Sequence, residues 1–228
     1  MSLRSQIWNL RTIVTRNKVL APLGESALNA ISWLHRINPL QLSKESVRHA
    51  TYLNAGCGKK PREGFVNLDY NWQPGIELIW DLGRTLPFQE NSLRGIYTEH
   101  CMEHLPFGMV TSHVLPEFYR VLAPGGCLRL IVPDGGLYLN LYAEAQQNPE
   151  VSFPFEDAAC VTPMMHVNKC FRNFGHLFAY DFATLEHFMR KAGFSTVTRR
   201  SFMNGSDPRL LLDSPERAPE SLYVEAIK

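Results

Sequence analysis

Short apolar runs alternate with helix-like stretches from Thr51 onward, and this alternation constrains the fold more than any other feature of the sequence. Each run is closed by Gly, Asn or Asp, and the stretches between the runs have helical spacing. Strands that are separated by helices pair in parallel, because a parallel crossover needs a long connection. The pattern predicts an α/β fold whose mostly parallel sheet carries helices on both faces.

The predicted strands and helices follow from where each run begins and ends. Five strands are predicted before residue 135, namely Thr51–Ala55, Phe65–Leu68, Ile76–Trp80, Gly95–Thr98 and Cys127–Val132. A helix over Val110–Leu122 is expected to end at the turn Pro124-Gly125-Gly126. The later predictions are helices over Leu137–Gln147 and Phe182–Ala192, a loop rich in Pro, Phe and Met between them, and strands over Ser195–Arg200 and Leu222–Ile227.

A helical extension is predicted over residues 1–48, ahead of a main domain over residues 49–228. Residues 1–24 carry basic side chains and no acid, interleaved with apolar residues at helical spacing. A second helix is expected over Glu25–Ile37 and ends at Asn38-Pro39. The basic segment suits packing on the main domain or on a partner subunit, and it also suits contact with an anionic membrane surface.

Composition excludes several classes of protein. With 23 basic and 22 acidic side chains the formal charge is +1, so no nucleic-acid partner is expected. The five cysteines are scattered and odd in number, which disfavours both a disulfide framework and a cysteine-based zinc site. No apolar run approaches the ~18 residues of a membrane span, so no transmembrane segment is expected. We therefore expect a soluble, cytoplasmic protein.

The segment Leu53-Asn54-Ala55-Gly56-Cys57-Gly58 is the most informative motif. A strand runs into two glycines, and Asp69 ends the next predicted strand. Glycines let a ligand approach the backbone closely, and an acid at that position can accept two ribose hydroxyl bonds. Pro61 stands where a dinucleotide motif has its third glycine, and no Walker sequence is present. A nucleoside ligand without a pyrophosphate is therefore predicted.

At this point the chain resembles the class I S-adenosylmethionine-dependent methyltransferases, over residues 50–135 and more loosely over residues 170–228. The motifs that carry the resemblance are L-N-A-G-C-G at 53–58, V-N-L-D at 66–69, I-W-D-L at 79–82, L-P-F at 86–88, E-H-C-M-E-H-L at 99–105 and R-V-L-A-P-G-G-C-L-R-L-I-V-P-D at 120–134. A group of bacterial methyltransferase-like proteins is similar in its late motifs as well. The resemblance implies a Rossmann-like fold and S-adenosylmethionine as the cofactor.

The same resemblance implies where the cofactor binds. The two glycines would lie against its amino-acid portion, the acid at the end of the second strand would hold the ribose, and the segment after the third strand would bound the adenine. Asn54 departs from the family, which usually has an acid there. The implied cofactor-binding residues are Asn54, Gly56, Gly58, Asp69, Asp81, Leu82 and Glu99.

A competing motif overlaps the fourth strand's end, because residues 100–104 spell H-x-x-E-H, the inverted zinc-protease signature. Two histidines four residues apart face the same way only on a helix. Here His100 directly follows a predicted strand and Pro106 comes soon after. No metal site is therefore predicted, Glu103 and His104 are interpreted as structural caps, and a zinc hydrolase is kept as an alternative.

Methyl transfer demands mainly proximity and alignment, although a hydroxyl acceptor gains from a general base of suitable pKa. Histidine suits that task. His100 is the first candidate for the base and His176 the second, while Asp134 ends a strand and is expected to face the substrate. The sequence thus predicts O- or N-methylation of a small-molecule or saccharide acceptor. A binding module of the same fold without turnover is the alternative that Asn54 leaves open.

Overall fold

The computed structural model describes residues 21–155 and 157–228. The described residues divide into two compact units, with the boundary in the chain between Pro87 and Phe88. Most of the basic helix predicted over residues 1–24 lies outside the described residues. The domain boundary expected after residue 48 stays a prediction.

The first unit has helices followed by three parallel strands. Its elements are helix α1 (Ala21–Ile37), a 3₁₀ helix (Pro39–Ser43), helix α2 (Glu45–Arg48) and strands β1 (Tyr52–Ala55), β2 (Val66–Asp69) and β3 (Leu78–Ile79), ordered β3-β2-β1. The predicted third strand shortens to two residues. The buried Gln41 bonds the backbone of Ile79 in both directions, accepting its N–H at 2.9 Å and donating to its carbonyl at 3.3 Å.

The second unit contains four strands in the order β4-β5-β7-β6. Strand β4 runs parallel to β5, whereas β7 is antiparallel to both of its neighbours. Its elements are β4 (Leu93–Glu99), a 3₁₀ helix (Met102–His104), α3 (Phe107–Met109), a π-helical turn (Val110–Val114), α4 (Leu115–Val121), β5 (Leu122–Pro133), α5 (Gly135–Ala145), α6 (Pro163–Arg172), a 3₁₀ helix (Asn173–Gly175), α7 (Phe182–Ala192), β6 (Thr196–Arg200), two 3₁₀ helices (Pro208–Leu210 and Pro215–Glu220) and β7 (Ser221–Ile227).

The predicted fold class is confirmed: the protein is a mixed α/β, Rossmann-like structure with seven strands, most of them paired in parallel, and flanking helices. Helix α7 matches its prediction at both ends, because Asp181 caps its start and Gly193 adopts a left-handed conformation at its end. Among the described residues, no helix is long and apolar enough to cross a membrane.

Strand β5 begins earlier than the sequence predicts. The segment Pro124-Gly125-Gly126 was expected to form a turn before the strand, yet Leu122 already pairs with Leu93. The pairing register then slips, so that Gly95 faces Cys127. Gly125, with φ of +76°, allows this irregularity within the strand.

Helix α6 replaces part of the predicted loop. Pro163 occupies its first turn, where the missing N–H of proline costs nothing. Only Val167 and Cys170 are buried along the helix. The apolar periodicity by which a helix is predicted from sequence is therefore weak here.

A buried cation organises the second unit. The Arg129 side chain on β5 is fully buried and contacts the carboxylates of Asp213 and Glu225, at 2.5 and 3.1 Å. Its guanidinium also donates to the carbonyls of Asn204 and Ser201. Arg129 therefore holds the chain between β6 and β7 against the sheet by main-chain as well as side-chain contacts.

Replacing this cation should destabilise the protein strongly. We expect Arg129→Met to lower the free energy of unfolding by about 3–5 kcal/mol, because the buried carboxylate of Asp213 would lose its counter-charge and that of Glu225 would keep only Arg200. Chemical denaturation measures the effect. The matched control is Arg190→Met, which breaks an exposed pair with Glu186 and should cost less than about 1 kcal/mol. Equal losses in the two variants would contradict the organising role of Arg129.

Candidate functional site

The loop after β1 turns sharply through its two glycines. Gly56 and Gly58 have φ values of 68° and 52°, in the left-handed region that favours glycine. The N–H groups of Gly56 and Cys57 both donate to the carbonyl of Leu68, at 2.8 and 3.0 Å. The loop is therefore fixed to the end of β2.

Asp69, the last residue of β2, is held by backbone groups on both sides. Its Oδ2 accepts the N–H of Gly58 at 2.8 Å, and its Oδ1 accepts the N–H of Asn71 at 2.9 Å. A carboxylate oxygen can accept two hydrogen bonds, so these contacts leave acceptor capacity on each oxygen. The half-buried carboxylate is thus oriented at the strand end and able to receive two hydroxyl hydrogens.

Asn54 is buried in β1 and holds the loop from inside. Its Nδ2 donates to the carbonyl of Lys60 at 3.1 Å and to Oδ1 of Asn67 at 2.9 Å. The same Oδ1 accepts the N–H of Arg62 at 2.6 Å. A carboxylate at position 54 could not donate a hydrogen bond to the carbonyl of Lys60 or to Oδ1 of Asn67. The geometry therefore explains why an amide stands where the resembling family has an acid.

The segment after β3 forms a second turn in the same unit. Oδ1 of Asp81 accepts the N–H of Gly83 at 2.8 Å, and the carbonyl of Asp81 accepts the N–H of Arg84. Leu82 is buried, and the Arg84 guanidinium lies 4.6 Å from the ring centre of Trp80. All the predicted cofactor residues except Glu99 belong to the first unit, at or just after the carboxyl ends of β1, β2 and β3.

Glu99 ends β4 in the second unit, and Ser214 binds both of its carboxylate oxygens. The N–H of Ser214 donates to Oε1 at 2.8 Å, and its hydroxyl donates to Oε2 at 2.5 Å. Ser214 directly follows Asp213, the partner of Arg129. Glu99 is thus connected to the buried ion network through neighbouring residues.

His100 has both ring nitrogens engaged. Its backbone has φ of +49°, unusual for a residue with a side chain. Nε2 lies 2.9 Å from the hydroxyl oxygen of Ser221, and Nδ1 lies 3.3 Å from Oε1 of Glu103. The Ser221 hydroxyl donates its only hydrogen to the carbonyl of Arg217, so the hydrogen between His100 and Ser221 belongs to Nε2. The Ser221 hydroxyl does not donate to His100, so Ser221, His100 and Glu103 are not arranged to activate Ser221 as a nucleophile.

His176 lies against His104. The two rings meet edge to face with centroids 4.9 Å apart, and Nδ1 of His176 is 2.6 Å from the carbonyl of Cys170. Glu103, His104 and His176 have potential ligand atoms within 4.8 Å of one another. His100 and His176, the two predicted bases, thus both lie near Glu103. The sequence predicts only a structural cap at Glu103. The alternation of acid and histidine in residues 99–104 is the signal that could have marked it.

The inverted zinc-protease motif lacks its helix. Strand β4 ends at Glu99, the left-handed backbone of His100 interrupts the chain, and only a 3₁₀ helix covers Met102–His104. His100 and His104 are therefore not successive positions on one face of an α-helix.

Asp134, which the sequence predicts to face the substrate, has structural partners. Asp134 is buried, caps α5 through the N–H of Leu137, and pairs with Arg199 at 2.6 Å. Burial, with a smaller contribution from Glu220 and Glu103, raises the pKa of the Cys170 thiol to about 12. The Cys170 thiol is therefore protonated near neutral pH and is not a thiolate nucleophile.

The chain is similar in fold to solved methyltransferases. A S-adenosylmethionine-dependent methyltransferase from Archaeoglobus fulgidus is 15% identical and aligns over 83% of this chain and 92% of its own, with a TM-score of 0.49. A S-adenosylmethionine-dependent methyltransferase from Mesorhizobium loti is 15% identical over 83% and 95%, with a TM-score of 0.47. The 1,6-didemethyltoxoflavin-N1-methyltransferase from Burkholderia thailandensis, solved with S-adenosylhomocysteine, is 14% identical over 100% and 91%, with a TM-score of 0.44.

Sequence comparison adds no closer match. No protein-family model and no curated protein matches the chain. Similarity this distant assigns neither a family nor an activity to the chain.

The donor role of Asn54 leads to a stability prediction. We expect Asn54→Asp to lower the free energy of unfolding by on the order of 3 kcal/mol at neutral pH, because a buried carboxylate would face two oxygens. The penalty should shrink as the pH falls, since a protonated carboxyl regains one donor. Thermal unfolding across pH measures this. In the control Asn140→Asp, at an exposed position on α5, the change should stay within about 0.5 kcal/mol.

Proposed function

We propose that the protein is a S-adenosylmethionine-dependent methyltransferase that acts on a small-molecule or sugar-containing acceptor. The observation that carries the proposal is the hydrogen bond from the Gly58 N–H to Asp69 Oδ2, at 2.8 Å. It joins a loop with two left-handed glycines to an oriented carboxylate at the next strand end. This combination suits a nucleoside whose ribose hydroxyls need an acceptor pair.

The residues of the first unit fit this cofactor. Gly56 and Gly58 offer backbone without Cβ atoms, and beyond its chain neighbours no atom of the described residues lies within 4 Å of a Cβ built on Gly58. Asp69 would accept the ribose hydroxyls, and Asp81 with Leu82 would bound the adenine. Pro61 at the third glycine position removes the pyrophosphate site of a dinucleotide motif. When bound, S-adenosylmethionine supplies an electrophilic methyl group on a sulfonium.

The histidines of the second unit supply the acid–base chemistry in this proposal. A hydroxyl acceptor must lose a proton as it attacks, whereas an amine acceptor needs only a free lone pair. His100 is the first candidate for the base, with Glu103 holding its Nδ1 side. A rotation of the Ser221 hydroxyl away from Arg217 would let it donate to Nε2 while the ring hydrogen stands on Nδ1. Nε2 would then take the Ser221 proton as the Ser221 oxygen takes the proton of the acceptor.

The alternative function is a binding module without turnover. It is favoured by Asn54, which carries no charge at the position where the resembling family usually has an acid. Such a module would bind the cofactor yet transfer no methyl group to any acceptor. Transfer of a labelled methyl group to a panel of amines, alcohols and sugars separates the two functions.

Cofactor binding is the first test. Calorimetric titration with S-adenosylhomocysteine should detect binding by the intact protein, and Asp69→Ala should weaken it at least about tenfold, the loss expected for charge-assisted hydrogen bonds. Asp157→Ala removes a carboxylate that pairs with Lys169 and should bind like the intact protein. Absence of binding by the intact protein, or unchanged binding by Asp69→Ala, would overturn the proposal.

The base can be tested once an acceptor is found. With a hydroxyl acceptor, we expect His100→Ala to lower turnover by about 100-fold or more, while the affinity for S-adenosylhomocysteine stays within about threefold. The control His187→Ala, at an exposed position on α7, should leave both quantities unchanged. An equal loss of turnover and affinity in His100→Ala would make His100 a structural residue instead.

A further inference from the structure

The carboxylate of Glu103 is buried without a hydrogen bond. Its side chain is 1% exposed, and neither oxygen accepts a hydrogen bond from the described residues. Two imidazoles lie beside it: His100, with Nδ1 at 3.3 Å from Oε1, and His104, with Nε2 at 3.9 Å from the same atom. A buried carboxylate is costly unless it is paired or coordinates a metal. The position of Glu103 therefore calls for a positive partner at short range.

His176 is oriented to present a lone pair. A carbonyl oxygen only accepts hydrogen bonds, so the 2.6 Å contact with the carbonyl of Cys170 assigns a hydrogen to Nδ1 of His176. In the neutral ring Nε2 then carries the lone pair. A backbone carbonyl that fixes one ring nitrogen in this way is the usual support of a metal-binding histidine.

Main-chain bonds hold the two segments of the cluster together. The carbonyl of Glu103 accepts the N–H of Leu177 at 2.7 Å and that of Phe178 at 3.4 Å. The Phe178 ring also stacks on Phe107, with centroids 4.1 Å apart. The segment that carries His176 is therefore fixed against the 3₁₀ helix that carries Glu103 and His104. The cluster does not depend on the placement of a free loop.

We propose that Glu103, His104 and His176 bind a divalent transition-metal ion, and that this ion is Zn²⁺. Two imidazole nitrogens and one carboxylate oxygen form the ligand set of many catalytic zinc sites, which keep a further position for water or substrate. One potential ligand atom from each of the three residues lies within 4.8 Å of the other two. Tetrahedral zinc needs about 3.3 Å between ligands. The exposed His104 side chain can close that difference by rotating.

The proposed site differs from the inverted zinc-protease motif and does not depend on the proposed function. His176 takes the place that the motif gives to His100. The His100 ring remains beside the carboxylate, with its Nε2 on Ser221. As a zinc ligand, His176 cannot act as the general base, so His100 remains the candidate for that role.

Metal titration tests the proposal on the full chain. Protein stripped with a chelator is titrated with Zn²⁺ in competition with a chromogenic chelator, and separately with Co²⁺ while the visible spectrum is recorded. We expect one Zn²⁺ per chain and a Co²⁺ spectrum without the sulfur-to-cobalt band that cysteine ligands give. His176→Asn and Glu103→Gln should each lose at least tenfold in affinity. His187→Asn, which removes an exposed histidine, should bind like the intact protein.

Each result of these titrations either supports or overturns the proposed zinc site. Failure of the stripped protein to bind Zn²⁺ stoichiometrically, wild-type affinity in His176→Asn, or a thiolate band in the Co²⁺ spectrum would overturn the site. Glu103 is buried, so Glu103→Gln could fail to fold, and circular dichroism is recorded for both variants. His176 is only partly buried, and its variant keeps the test decisive. A parallel titration of the stripped protein with S-adenosylhomocysteine distinguishes loss of this site from failure of the proposed function.

Discussion

The buried guanidinium of Arg129 is the interaction on which much of the second unit depends. A charge that is removed from water must find its counter-charges within the fold, and Arg129 finds two carboxylates and two backbone carbonyls there. These partners come from β7 and from the chain between β6 and β7. Because Ser214 follows Asp213 directly, the same interaction sets the residue that binds Glu99. The buried Arg129 on β5 thereby helps to position Glu99 at the end of β4.

The elements that sequence reasoning predicts well are those with local signals at both ends. Helix α7 has a capping aspartate and a terminal glycine, and β1 runs directly into the glycine motif. Helix α6 has only two buried residues, and its starting proline resembles a loop former until its position is known. The irregularity at Gly125 depends on the pairing of β5 with β4. Such pairing is a tertiary constraint that no local pattern reports.

The candidate site divides in the same way. The turn at Gly56 and Gly58 and its bond to Asp69 join residues that are close in sequence, so a local motif can point to them. The donor role of Asn54 follows from a side-chain partner on the next strand. The meeting of His176 with Glu103 and His104 requires two segments that are distant in sequence. The sequence identifies Glu103, His104 and His176 as residues of types that can bind a metal, but only the folded backbone brings their side chains together.

The bond between Leu177 and the carbonyl of Glu103 has an evolutionary consequence. It joins the two segments of the cluster through main-chain atoms, and the Leu177 side chain is 53% exposed. Any amino acid with an N–H group can make that bond, so position 177 is free to drift through most side chains without moving His176. Proline alone is barred, because it has no hydrogen to donate. A family of such proteins could therefore keep this geometry where its sequences show almost no common residue.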